Sequence, residues 1–322
     1  MCAEDKRFES AHEFVNFFLT DRRFRTNNPF TANHVGQSGF IFRGQSCASW
    51  PLKPTAFRSD TPMGDFTPQP AGALTDSTNI YQHLGWHLKS EERAVFLFLK
   101  NADSVGISTP IDYSNLKNGR DQMHILFSGN VNNDFDCNAP SPIASFQRAT
   151  ALAQHHGVPT RFLDWSESPL VACYFAACGA SSFSGSTVRQ EQDIAVYFLS
   201  SFSLHGDALP VEIISAPRHE NSHLLQQQGL FLSFKYANSF FIENRRWSSL
   251  GDLPDMRKYL TRVRLPATQA DDLLRELFDR NITQLTLMPS LTHAAKAYKN
   301  IRALFSRTGS PIESVSNAPN VT

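Results

Sequence analysis

The reading turns on Ala151-Leu152-Ala153-Gln154-His155-His156-Gly157-Val158-Pro159-Thr160-Arg161-Phe162-Leu163-Asp164-Trp165-Ser166-Glu167-Ser168-Pro169-Leu170. It holds the end of one helix, a turn, a short apolar strand and the start of a second helix. Gly157 supplies a left-handed stop, and Pro159 keeps the first helix from resuming. Arg161-Phe162-Leu163 reads as a strand. Ser168-Pro169 opens the next helix, serine as cap and proline in the first turn. Two histidines, an arginine, two carboxylates, two serines and a tryptophan crowd this strand. A core segment does not need so many polar groups, so the stretch is expected to form part of a site.

Working outward, a helix is expected from Pro142, because Ile143, Phe146, Ala149, Thr150 and Ala153 recur near helical spacing. Downstream, Leu170 to Ala177 is apolar almost all round and reads as a buried helix ended by Gly179. Residues 180–192 form a polar loop. Asp193 to Leu199 is a near-continuous apolar run, the mark of a strand buried on both faces. Val211 to Ile214, the segment after Gln228-Gly229, and Arg257 to Leu265 supply further strands. Helices are expected over 267–280 and 290–305. Upstream, residues 8–20 form a helix with Ser10 and Glu13 as a capping box. Phe40-Ile41-Phe42 is a strand closed by Arg43-Gly44. Residues 59–79 read as a loop, Ser90-Glu91-Glu92 as a helix start, 101–140 as irregular, and the tail from Ser306 as disordered. No internal repeat or linker divides the chain. The expectation is α+β: residues 1–34 an N-terminal helical segment, 35–305 one domain and 306–322 the tail.

Composition narrows the function. Thirty basic and thirty acidic side chains in 322 residues give zero formal charge, so bulk attraction to nucleic acid or a membrane is absent. The apolar runs are too short to span a bilayer. Five cysteines without a C-x-x-C pair point to free thiols in a reducing, cytoplasmic setting. Cys173 and Cys178 fall in the apolar helix, where thiols are packing. His83 and His87 have metal-ligand spacing but no third ligand nearby in sequence, so no metal is expected.

The motifs carry a family resemblance. Ile41-Phe42-Arg43-Gly44-Gln45, then Trp50-Pro51-Leu52-Lys53-Pro54 and Arg58, resemble the opening of the FRG domain, named for Phe-Arg-Gly. Ala153 to Ser166 resembles its central signature, and Ser168-Pro169-Leu170 with Ala172 to Ala176 continues it. Gln228-Gly229-Leu230-Phe231 and Leu287-Met288-Pro289-Ser290-Leu291 are similar to its later motifs. The resemblance spans roughly residues 35–305.

More distantly, the layout resembles the ADP-ribosyltransferase fold, which implies a split, mixed or antiparallel sheet core with surrounding helices. It also implies NAD as substrate and transfer of ADP-ribose to an unidentified macromolecular acceptor, protein or nucleic acid, in bacterial defence or as a toxin. Carried onto this chain, Arg43 with Gly44 and Gln45 takes the place that grips the NAD phosphates or ribose. Ser166 and Ser168 fit the serine motif, with His155, Thr160 and Arg161 beside them as cofactor-binding residues. His156, Asp164 and Gln228 are the catalytic candidates: imidazole as base, carboxylate for the oxocarbenium-like charge, amide for the ribose hydroxyls. The start of helix 169–178 is a natural anion site. The chain departs from the pattern at its third position. Gln228 stands where a glutamate is expected, leaving Asp164, Glu167 or Glu243 to supply the carboxylate. Two alternatives stay open: a non-catalytic nucleotide-binding or interaction module, and a phosphodiesterase or nuclease using His155, His156 and Asp164.

Overall fold

The computed structural model describes residues 4–24, 39–67, 72–109, 147–181, 192–204, 209–214 and 222–306. Its strands are β1 (Glu4–Arg7), β2 (Phe40–Gln45), β3 (Leu163–Ser166), β4 (Asp193–Ser200), β5 (Val211–Ile214), β6 (Gly229–Phe234) and β7 (Thr261–Pro266). The helices are α1 (Ala11–Thr20), α2 (Ile80–Ser104), α3 (Gln147–His155), α4 (Pro169–Cys178), α5 (Ser222–Gln226), α6 (Ala237–Asn244), α7 (Met256–Tyr259), α8 (Ala270–Phe278), α9 (Gln284–Leu287) and α10 (Leu291–Ser306).

The strands form one sheet in the order β1-β7-β4-β2-β3-β6-β5. Only β1 against β7 is parallel; every other pair is antiparallel. The class is therefore α+β with a mixed sheet.

Alternation along β4 shows why both faces are covered. Ile194, Val196 and Phe198 point into one core with α1, α4 and α8. Ala195, Tyr197 and Leu199 point into the other, with α2, α6 and Trp247. Much of the phenylalanine content packs the first core, where Phe14, Phe18, Phe24, Phe42 and Phe198 meet mostly edge to face.

The sheet opens at one place. β2 pairs with β4 along its whole length, and β3 with β6 along its whole length. Between β2 and β3 only Phe42 and Ser166 are in register. Past that pair the strands part and the cleft begins. Gly44 lies just beyond it, where a Cβ would stand 1.8 Å from the Ala172 carbonyl oxygen and 2.7 Å from Ala176 N. The missing side chain lets α4 lie directly on β2.

Several elements differ from expectation. Helix α2 begins ten residues before Ser90. The Asn79 side chain caps it by accepting from the Tyr81 and Gln82 amides at 3.1 and 3.2 Å. Ser90 sits inside the helix, its hydroxyl donating to Trp86 O at 2.9 Å. The strand of the central stretch starts at Leu163 rather than Arg161. The N-terminal segment is more than helical, since β1 joins the sheet and Phe8, Phe14 and Phe18 enter its core. The helix start at Pro142, most of the 180–192 loop and the tail beyond Ser306 lie outside the described residues. Among the described residues no helix is long and apolar enough to cross a membrane.

Candidate functional site

A cavity of about 370 Å³ occupies the opening between β2 and β3. Its polar wall is built from Arg43 on β2, Gln154 on α3 and Asp164 on β3. Arg43 reaches across the parted strands, its Nη1 donating to the Asp164 carbonyl at 2.6 Å and standing 3.6 Å from Asp164 Oδ2. The guanidinium replaces the ladder hydrogen bonds that the split removes. Burial pushes Arg43 below the ordinary arginine value, the Asp164 carboxylate pulls it back, and the like charge of Arg58 adds to the depression. Arg58 thus puts a second positive charge near the cleft.

Asp164 is half exposed but held. Gln154 Nε2 donates to both carboxylate oxygens at 3.0 Å. The orientation of that amide is fixed in turn, because Gln154 Oε1 accepts from the Thr160 hydroxyl at 2.6 Å. Thr160 Oγ1 itself accepts from the Phe162 amide at 3.2 Å. Two donors of cavity-lining residues, Arg43 Nε and Trp165 Nε1, have no hydrogen-bond partner among the described residues. Both are buried.

The opposite wall carries imidazoles. His155 on α3 and His223 on α5 line the cavity, ring centroids 5.5 Å apart and edge to face. Burial, joined by His156 and His223, lowers His155 to about 4, so it is neutral at pH 7. His223 Nε2 lies 3.1 Å from the Pro289 carbonyl. Gln227 also lines the cavity and donates to Leu287 O at 3.3 Å. Phe42, Phe175 and Met288 supply apolar lining.

Of the residues expected from the sequence, the cavity gathers Arg43, Gly44, His155, Asp164 and Ser166. Ser166 Oγ is engaged, donating to Gln227 O at 2.8 Å and accepting from Ser168 N at 2.9 Å. The lining leaves out the others. Arg161 is buried in a two-point ion pair with Glu91, at 2.8 and 2.9 Å, so its charge is not available to a ligand in the cleft. Thr160 is buried and acts on Gln154. Gln45 donates to Trp50 O at 2.7 Å, and Ser168 caps α4 by accepting from Val171 N at 3.4 Å. His156 is exposed and stacks on Phe98. Gln228 is exposed in a left-handed turn at φ 47, and the neighbouring Gln227 faces the cavity in its place. Neither Glu167 nor Glu243 lines the cavity. His83 is stacked on Phe241, and His87 is tilted against Trp247 with its Nε2 3.2 Å from Glu91 Oε1. Among the described residues no cluster of three or more His, Cys, Asp or Glu side chains has metal-holding geometry.

His223, Gln227, Phe175 and Met288 are lining residues that the sequence did not reveal. Their signal was weak. His223 and Gln227 are four apart, one helical face, and Met288-Pro289 gave no hint that a backbone carbonyl would meet a histidine.

Fold and site together define an α+β protein with a cavity where its mixed sheet opens, walled by an arginine–aspartate pair and two imidazoles. The FRG domain family model matches residues 38–184, so this stretch of the chain carries an FRG domain. The curated proteins and the solved structures gave no match.

Proposed function

We propose that the cleft binds NAD and splits its nicotinamide–ribose bond, passing ADP-ribose to an acceptor. The observation that carries this reading is the pair of buried, unpartnered donors, Arg43 Nε and Trp165 Nε1, in residues lining the cleft. Unsatisfied buried donors are costly, and an acceptor-rich anion such as a pyrophosphate satisfies them. Arginine suits that role through its planar fork. The volume lies within the roughly 300–1,000 Å³ of small-molecule sites. Asp164 supplies negative charge to stabilise an oxocarbenium-like centre, with Gln154 holding the carboxylate in place. The amide that would hold the ribose hydroxyls is then Gln227. Transfer to a protein or nucleic acid would suit a toxin-like or defence role.

The test is titration of the purified protein with ADP-ribose, alongside nicotinamide release from labelled NAD. Arg43→Ala is expected to abolish binding. Asp164→Asn is expected to keep binding and slow release by roughly 10²–10³-fold, the usual effect of removing one electrostatic stabiliser. Absence of ADP-ribose binding by the unaltered protein overturns the reading.

A second reading, a nucleotide-binding module without catalysis, has one observation in its favour. Asp164 is the single carboxylate among the lining residues, and both its oxygens are engaged by Gln154. Binding of ADP-ribose without nicotinamide release would select it.

A further inference from the structure

The geometry points to His223 as the catalytic base of this cleft and to a hydroxyl, water included, as the acceptor. The inference rests on the NAD reading above and names the acceptor class of that site.

The argument starts from a tautomer. The Pro289 carbonyl only accepts hydrogen bonds, so a neutral His223 facing it at 3.1 Å carries its proton on Nε2. The other nitrogen, Nδ1, then holds the lone pair, and it has no hydrogen-bond partner among the described residues. A backbone carbonyl on one nitrogen fixing the other as acceptor is how proteins set an imidazole for proton transfer. Since His223 lines the cavity, the base stands where a reacting group would be bound. The titratable and charged neighbours on this side of the cleft are His155 at the end of α3, His156 in the turn after it and Asp164 on β3. His155, held neutral, sets no positive charge against a proton arriving on His223.

The acceptor class follows from which groups line the site. A hydroxyl already has a lone pair and sheds its proton as the new C–O bond forms, so an imidazole suffices as base. A guanidinium keeps its proton to about pH 12 or above. It has no lone pair for attack until that proton is removed, and it needs a free carboxylate to hold it. Among the described residues the cavity offers one carboxylate, Asp164, already bound by Gln154 and close to Arg43. A second cation would meet the charge of Arg43. In the step itself, the hydroxyl oxygen forms a bond to ribose C1′ and the C1′–N bond to nicotinamide breaks. The electron pair of that bond leaves with neutral nicotinamide, and the hydroxyl proton passes to His223 Nδ1 and then to water.

The experiment compares His223→Gln with the unaltered protein, because glutamine retains a donor for the Pro289 carbonyl but has no basic nitrogen. With labelled NAD, and methanol or agmatine added as probe acceptor, the unaltered protein is expected to give the O-methyl glycoside of ADP-ribose and no agmatine adduct. H223Q is expected to bind ADP-ribose as before and to lose roughly 10²–10⁴-fold in transfer rate, the range of general base catalysis. Unchanged transfer in H223Q overturns the base, and an agmatine adduct overturns the acceptor class. Failure of the unaltered protein to bind ADP-ribose overturns the NAD reading, a different result. An independent readout is the nitrogen spectrum of the labelled histidines: a proton on Nε2 of His223 is expected, and a proton on Nδ1 overturns the assignment.

Discussion

Arg43 and Arg161 were equal candidates in the sequence, and their surroundings separate them. Arg161 and Glu91 are 5% and 1% exposed. Burial alone would raise Glu91, but Arg161 and His87 overcome it and lower the carboxyl to about 2. Arg161→Met leaves that carboxylate buried without its partner, and a loss of about 3–5 kcal/mol in urea unfolding is expected. Glu92, next in the chain, behaves in the opposite sense. Burial and the charge of Glu91 push it up to about 7, and its Oε1 has no partner among the described residues. Above its ordinary 4.5 the unfolded chain gives up this proton while the folded chain keeps it to about 7. Stability therefore falls as pH rises through that window and levels beyond it, by a total on the order of 3 kcal/mol. Glu92→Gln is expected to raise the melting temperature more at pH 8 than at pH 5; an equal gain at both would contradict the raised carboxyl. Gln228→Gly relieves a left-handed backbone and is expected to add roughly 1 kcal/mol, with ADP-ribose binding unchanged. The sequence could name residue types suited to a ligand. It could not show that Glu91, seventy residues away, had already taken Arg161.

Elements were legible where the local signal was also the deciding one. Ser168-Pro169 announced α4, and Gly157, at φ 84, ended α3 as expected. Signals failed where a stronger competitor lay nearby. Ser90 resembles a cap, yet Asn79 caps α2 one stretch earlier and tertiary packing carries the helix through Gly85. Gly44 closes the predicted strand without showing what lies against it, and the structure places the backbone of α4 there. Gly44→Ala is expected to cost more than the 1–3 kcal/mol of ordinary overpacking, because the obstacle is a helix carbonyl rather than a side chain that can turn away. Chemical denaturation checks this, with Gly179 unsuitable as a control since Ser46 occupies its open side.

At the scale of the molecule, the matched stretch and the cleft do not coincide. Residues 38–184 supply Arg43, Gln154, His155, Asp164 and Phe175, while His223, Gln227 and Met288 come from beyond it. The same limit removes β4, against which all of β2 pairs. A fragment of residues 38–184 is expected to show no cooperative unfolding, as measured by thermal circular dichroism, whereas residues 1–306 should unfold in one transition. The opening between β2 and β3 had no local signal in the sequence. No local pattern tells a strand that its neighbour will diverge after one residue pair.

Of the described strands, β1 waits longest for its partner. β1 has β7 as its sole neighbour in the sheet, and Asp5 reaches Arg262 across 257 positions of sequence. At about 5–20 residues per second on the ribosome, that separation is roughly 13–50 s of synthesis. For that interval Phe8, Phe14 and Phe18 have no finished sheet to cover them. Between the making of β1 and that of β7 the growing chain therefore carries an uncovered oily segment, the kind of surface that invites aggregation.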